Sequence, residues 1–100
     1  MRKYELIFIV KPMEEEKTDA TIQKFTKLIV ANGGKIDEED RWGRKRLAYE
    51  IKDFTEGYYV LVNVTASPAC MQEVDRVMKI TEEVLKHMIV REDEKSTKED

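Results

Sequence analysis

The spacing of apolar residues changes period along this chain, and the order of those changes constrains the fold more than any other feature. Residues 3–10, Lys3-Tyr4-Glu5-Leu6-Ile7-Phe8-Ile9-Val10, are rich in aromatic and β-branched side chains. They are apolar on both alternating faces after Glu5, the pattern of a central strand. Pro12 ends that run. From about Lys17 to Asn32, Ile22, Phe25, Leu28 and Ile29 fall on one helical stripe. Glu14 to Glu16 place negative charge at the helix start, where it is favoured. Gly33-Gly34 closes the helix, since glycine accepts the left-handed conformation of a C-cap.

Residues 35–52 read as one long strand with a fault in it. Ile36 and Trp42 have even parity, whereas Leu47, Tyr49 and Ile51 have odd parity. One inserted residue would restore a single face, and Gly43 is the natural bulge position. Asp53 to Gly57 are expected to turn the chain. Tyr58 to Thr65 then run as another strand, with Tyr58, Val60, Val62 and Val64 on the better core face. Ser67-Pro68 combines a capping hydroxyl with proline at the first helical position, and Met71, Val74, Val77 and Met78 form the stripe of a second helix. Residues 84–91 make a last strand of ambiguous parity: Val84, Met88 and Val90 alternate well, but Leu85 and Ile89 also ask for burial.

The order is βαββαβ. An α+β sandwich of the ferredoxin-like kind follows, a four-stranded antiparallel sheet with two helices on one face. The chain of 100 residues makes one domain over residues 1–92. Residues 93–100 contain no apolar side chain and are expected to be a disordered charged tail.

Composition narrows the function. No apolar run reaches the roughly 18 residues of a membrane span, and the N-terminus lacks the apolar core of a signal peptide. The single Cys70 fits a reducing compartment. These features point to the cytoplasm. The net charge is -3, awkward for a nucleic-acid binder because affinity for phosphate comes mostly from Lys and Arg. Its distribution matters more than its sum. Acid gathers in Glu14-Glu15-Glu16, in Asp37-Glu38-Glu39-Asp40 and in the tail, and base at Arg2-Lys3 and at Arg41, Arg44, Lys45 and Arg46. A chain so divided can touch RNA over a small patch and offer acid to a basic protein.

The densest basic cluster runs straight into the alternation of Leu47, Tyr49 and Ile51, which suits an anion held at a fixed place on a folded surface. The decapeptide Gly43-Arg44-Lys45-Arg46-Leu47-Ala48-Tyr49-Glu50-Ile51-Lys52, the opening Met1-Arg2-Lys3-Tyr4-Glu5 and the later Gly57-Tyr58 resemble the signature of a bacterial-type family, the sixth protein of the small ribosomal subunit. The resemblance covers residues 1–92. It implies the same fold and a structural role without catalysis or cofactor. It also implies binding to small-subunit ribosomal RNA together with a small basic companion, ribosomal protein eighteen. The tail differs from relatives with longer, glutamate-extended ends, because Lys95 and Lys98 interrupt its acid.

Several residues carry two readings. Arg41, Arg44, Lys45 and Arg46 are either a phosphate site or a solvated edge that discourages strand-to-strand aggregation. The resemblance favours binding. Arg2, Lys3 and Arg91 are further candidates for RNA phosphate. Trp42 is either core or rim packing, or an anchor for a partner, a role in which Trp and Arg are over-represented. Arg41, Trp42, Arg44, Arg46 and Tyr59 are the candidate partner-binding set. A base-stacking sheet of the RNA-recognition type is disfavoured, because Tyr59 is the only aromatic on the outward set of its strand and the glycine-aromatic motif is absent. Ile7 and Leu61 on that face suit a protein better. His87 is the only histidine and has no second His for a metal pair. Asp37 to Asp40 lack the spacing of a calcium loop. Neither a glycine-rich phosphate loop nor a motif around a nucleophile is present. The alternative to a ribosomal role is a small ferredoxin-like enzyme or metabolite-binding regulatory domain that uses helix N-termini as anion sites.

Overall fold

A computed structural model describes residues 1–92, so the expected tail at 93–100 lies outside the described residues. The elements are β1 (Arg2–Val10), α1 (Glu15–Ala31), β2 (Lys35–Ile51), β3 (Phe54–Ala66), α2 (Pro68–Ile80) and β4 (Val84–Arg91). The four strands form one antiparallel sheet in the order β2-β3-β1-β4. Both helices cover one face, which gives the βαββαβ sandwich read from the sequence.

The core lies between that face and the helices. Leu6, Phe8 and Val10 of β1 meet Val60, Val62 and Val64 of β3, all fully buried. Ile22, Phe25 and Ile29 of α1 and Cys70, Met71, Val74 and Met78 of α2 close it from above. Phe8 and Phe25 pack ring against ring, tilted at 60° with centroids 5.7 Å apart, a geometry the aromatic quadrupole favours.

The helix ends follow from local chemistry. α1 begins at Glu15, two residues before the expected start, with Glu15 and Glu16 in its first turn. At its other end Gly33 adopts φ +85°, and the amides of Gly33 and Gly34 donate to Val30 and Ile29 carbonyls. That pair of bonds satisfies the last turn. Ser67 Oγ accepts from the Cys70 amide at 3.2 Å, ahead of Pro68 at the first helical position of α2.

Three details differ from the sequence reading. The hairpin turn is Lys52-Asp53, both with positive φ, a tight turn whose twist matches the strands, so Phe54 to Gly57 already belong to β3. β2 carries two bulges in its upper half instead of one. The register slips between Ile36 and Glu38 as well as between Arg41 and Gly43, so Ile36 turns toward the helices while Trp42 and Leu47 share the opposite face. In β4, Val10 pairs with Val84 and Ile9 with Lys86. The extra residue is Leu85. This bulge settles the parity of β4: Val84, His87 and Ile89 face the helices, and Leu85, Met88 and Val90 face away.

The open face, away from the helices, is partly covered at one end by the chain itself. Leu47 and Leu85 pack on Ile9, with Ile51, Phe54 and Tyr59 around them. The tip of the β2–β3 hairpin crosses from one edge of the sheet toward the other. Lys86 Nζ donates to Tyr49 Oη at 2.9 Å, and Lys52 Nζ to the Val84 carbonyl at 3.4 Å.

Candidate RNA and partner interface

The bulge at Trp42-Gly43 decides where the basic cluster points. Arg41 lies opposite Val60 and Arg44 opposite Tyr58, while Gly43 lies opposite Tyr59 and Trp42 is the extra residue. Gly43 takes φ +89°, a conformation that costs glycine nothing. Side chains therefore leave β2 on both faces. Arg41, Arg44 and Arg46 point to the helix side; Trp42 and Lys45 point to the open side.

Each cation then meets different surroundings. Arg41 reaches Asp19 of α1 at 2.8 Å and Glu39 at 2.6 Å. Desolvation works against its charge, but the hydrogen bonds to Glu39 and Asp19 outweigh it and raise its pKa. Arg41 thus fastens the edge strand to α1. Arg44 lies in a groove lined by Met13, Glu15, Asp19 and Tyr58, its Nη2 donating to the Met13 carbonyl at 3.4 Å. Arg46, opposite Glu56, is exposed and forms no ion pair among the described residues.

On the open side, Lys45 Nζ stands 5.3 Å from the centre of the Trp42 ring. Trp42 stacks on Tyr59 at 6.4 Å and 13°, and its Nε1 donates to Asp40 at 3.0 Å. Trp42 stays 43% exposed. It is neither core nor a lone surface aromatic but the middle of a Lys45–Trp42–Tyr59 column. The outward face of β3 offered only Tyr59 in sequence; the bulge in its neighbour supplied the second ring.

Arg2, Lys3 and Arg91 gather at the other end of the sheet. Arg2 pairs with Ala66, Lys3 with Thr65 and Tyr4 with Arg91, whereas Arg44 lies level with Tyr58 and Val10. Eight steps of β1 separate the two ends, about 26 Å at the usual rise per residue. The candidate cations therefore form two poles, not one patch. Beside the first pole, Tyr4, Pro68, Gln72, Asp75, His87 and Arg91 line a shallow groove between α2 and β4. There His87 Nε2 contacts Asp75 Oδ1 at 2.7 Å, and Lys79 Nζ lies 3.0 Å from Asp75 Oδ2. Hydrogen bonds from His87 and then Lys79 hold the Asp75 carboxyl below the usual carboxylate range.

The sequence reading passed over a polar cluster on the open face. Thr65 Oγ1 donates to Asp37 at 2.6 Å and Asn63 Nδ2 to Glu38 at 3.3 Å. The signal was present: Asn63 and Thr65 interrupt the outward set of an otherwise apolar strand.

The sequence model of the family ribosomal protein S6 matches residues 3–91. The chain belongs to the ribosomal protein S6 family. It is 51% identical over 94 residues to small ribosomal subunit protein bS6 of Desulforudis audaxviator, covering 93% of this chain and all of that one. It is 45% identical over 98 residues to the protein of the same name from Moorella thermoacetica, covering 97% of this chain and all of the relative. The crystal structure of ribosomal protein S6 from Thermotoga maritima superposes with a TM-score of 0.89 at 32% identity, over 98% of this chain and 94% of that one. The S6 family is structural and not enzymatic, in line with the absence of a nucleophile or phosphate-loop motif from the sequence. No helix among the described residues is long and apolar enough to cross a membrane.

Proposed function

We propose that this chain is a structural component of the small ribosomal subunit and binds small-subunit ribosomal RNA jointly with ribosomal protein eighteen, a small basic companion. The observation that carries this reading is the division of the candidate contact cations, Arg2, Lys3 and Arg91 against Arg44, Lys45 and Arg46, into two small poles on a chain of net charge -3. Neither pole alone neutralises many phosphates, so tight RNA binding needs cations from elsewhere. Arg2, Lys3 and Arg91 give phosphate contacts at one end, and Arg44, Lys45 and Arg46 at the other. Trp42 and Tyr59, stacked and half-exposed, supply the aromatic anchor that protein interfaces favour. Arg41, occupied by Asp19 and Glu39, acts on the interface by holding β2 in place.

The test is sedimentation of tagged protein through a sucrose gradient. Migration with small subunits, and co-purification of a small basic protein from the free pool, are expected. A tagged protein that stays at the top of the gradient while folded overturns the reading.

A further inference from the structure

β2 stands at one edge of the sheet, and its charge is divided in two. Asp37-Glu38-Glu39-Asp40 is acidic, and Arg41, Arg44, Lys45 and Arg46 follow on the same strand. Among the described strands β2 pairs with β3 alone, and an edge strand offers its outer row of amides and carbonyls to another strand. The bulge at Trp42-Gly43 separates two regular runs, Glu38 to Arg41 and Gly43 to Arg46. It also reverses parity. Glu39, opposite Val62, and Arg44, opposite Tyr58, project on the helix side, whereas Glu38, opposite Asn63, and Lys45, opposite Gly57, project on the open side. All of these charged side chains are exposed. Their contacts stay on the surface of one chain: Glu39 with Arg41, Glu38 with Asn63, Arg44 with the Met13 carbonyl and Lys45 with the Trp42 ring.

We propose that β2 pairs antiparallel with β2 of a second copy of this chain, about a two-fold axis between Arg41 and Trp42. Residues 38–40 of one copy then lie along residues 43–45 of the other. Glu38 faces Lys45 and Glu39 faces Arg44, each pair occurring twice by symmetry, and Asp40 faces Gly43, which has no side chain to meet. Residues directly opposite in an antiparallel pair share a face. Glu38 and Lys45 differ in parity, as do Glu39 and Arg44, so an unbroken strand would point them to opposite faces; the bulge aligns both pairs. Parallel pairing in register sets acid on acid, and shifting the antiparallel register by two residues sets Arg41 opposite Arg44; like charges directly opposite are destabilising. The two Arg41 side chains near the axis are each held by Asp19 and Glu39 of their own chain. Exposed ion pairs contribute little affinity, so charge selects the register. The backbone ladder and the covering of Trp42, 43% exposed beside the axis, hold the copies together. The dimer stands whether or not Arg44 and Lys45 also meet RNA; where they do, pairing and RNA binding exclude each other.

The test is sedimentation velocity on the full chain. A dimer is expected at about 50 mM salt, with its dissociation constant raised at least about tenfold at about 0.5 M, since exposed charges are screened. Glu38→Lys with Glu39→Lys, and separately Arg44→Glu with Lys45→Glu, are expected to be folded by circular dichroism and monomeric. Mixed in equal amounts they are expected to form a one-to-one heterodimer, because every pair is restored with its signs exchanged. Glu82→Lys, exposed in the turn between α2 and β4, is expected to leave the dissociation constant within about twofold of wild type. If a paired reversal unfolds, Glu39→Lys and Arg44→Glu as single changes repeat the exchange. A wild-type chain that is monomeric at about 0.1 mM in low salt overturns the proposal. So do reversal variants that stay dimeric, or folded variants that stay monomeric when mixed. Equal weakening by Glu82→Lys would assign the effect to net charge and overturn it likewise.

Discussion

Two glycines show how differently the same residue type constrains this fold. At Gly57 a Cβ would stand 2.3 Å from Ile9 Cγ2 and 3.4 Å from Leu47 Cδ2, beneath the point where the hairpin folds over β1. At Gly43 nothing lies within 4 Å, but φ is +89°. Gly57→Ala is therefore a packing change and Gly43→Ala a backbone change. Overpacking costs about 1–3 kcal/mol, and a left-handed conformation costs about 1–2 kcal/mol for an L-residue. Urea unfolding is expected to show both losses, with a distinguishing cycle: Ile9→Leu, which lacks the γ2 methyl, recovers part of the Gly57→Ala loss and none of the Gly43→Ala loss. Asp75 makes a different residue-scale prediction. Its folded pKa lies below its ordinary value because of His87 and Lys79. The stability it contributes is then present above the unfolded value near ~3.9 and is lost as pH falls through the lower folded value. Asp75→Asn is expected to flatten the acid side of the stability curve, measured as urea midpoints from about pH 5 downward. An unchanged slope would show that the contact with His87 and Lys79 carries no charge-dependent stability.

At the scale of elements, the β2–β3 hairpin holds a second, smaller cluster of Ile9, Leu47 and Leu85. Leu47→Ala should cost about 2 kcal/mol, the low end for a buried leucine, because the cluster borders solvent and can relax. Amide exchange at residues 47–54 should accelerate well before the β1–β3 ladder opens, since the tip is tied to β4 chiefly by Tyr49 and Lys52. Loss of protection throughout the sheet would show instead that the tip and the main core open together. This hairpin also marks where the sequence stopped being legible. The stripe Ile22, Phe25, Ile29 and the alternation Val60, Val62, Val64 each bury one face, so period alone revealed them. A bulge changes parity at one residue and leaves no period of its own. Gly43 advertised its bulge by composition. Asp37 and Leu85 did not, and their positions are set by which neighbouring strand each residue must match. The conflict among Val84, Leu85, Met88 and Ile89 was visible in sequence, but its resolution needed β1 alongside. The same limit hid the Trp42–Tyr59 stack, which exists only because the bulge turns Trp42 toward the open face.

For the whole molecule, the governing fact is charge arranged by topology. The sequence shows basic residues at 2–3, 44–46 and 91, but only the antiparallel register of β1 with β3 and β4 brings Arg2, Lys3 and Arg91 to one end and leaves Arg44 to Arg46 at the other. A chain of net charge -3 carrying two such poles should bind small-subunit ribosomal RNA weakly by itself and far more tightly with the basic companion proposed above. In that joint complex, Arg2→Ala with Lys3→Ala, and separately Arg44→Ala, Lys45→Ala and Arg46→Ala together, should each leave the domain folded, because these side chains are exposed. Every phosphate contact removed should reduce the steepness of log K against log salt by roughly 0.7–0.9. If both poles touch RNA, both variants lower the slope and their effects add, since the sites are too far apart to couple. If the Arg44 to Arg46 pole meets the companion instead, its variant weakens the protein pair and leaves the RNA slope nearly unaltered. Should both variants be folded, pair normally and keep the wild-type slope, the charges would be solvated rims that protect a sheet edge from aggregation, and the joint complex would draw all its phosphate contacts from the companion.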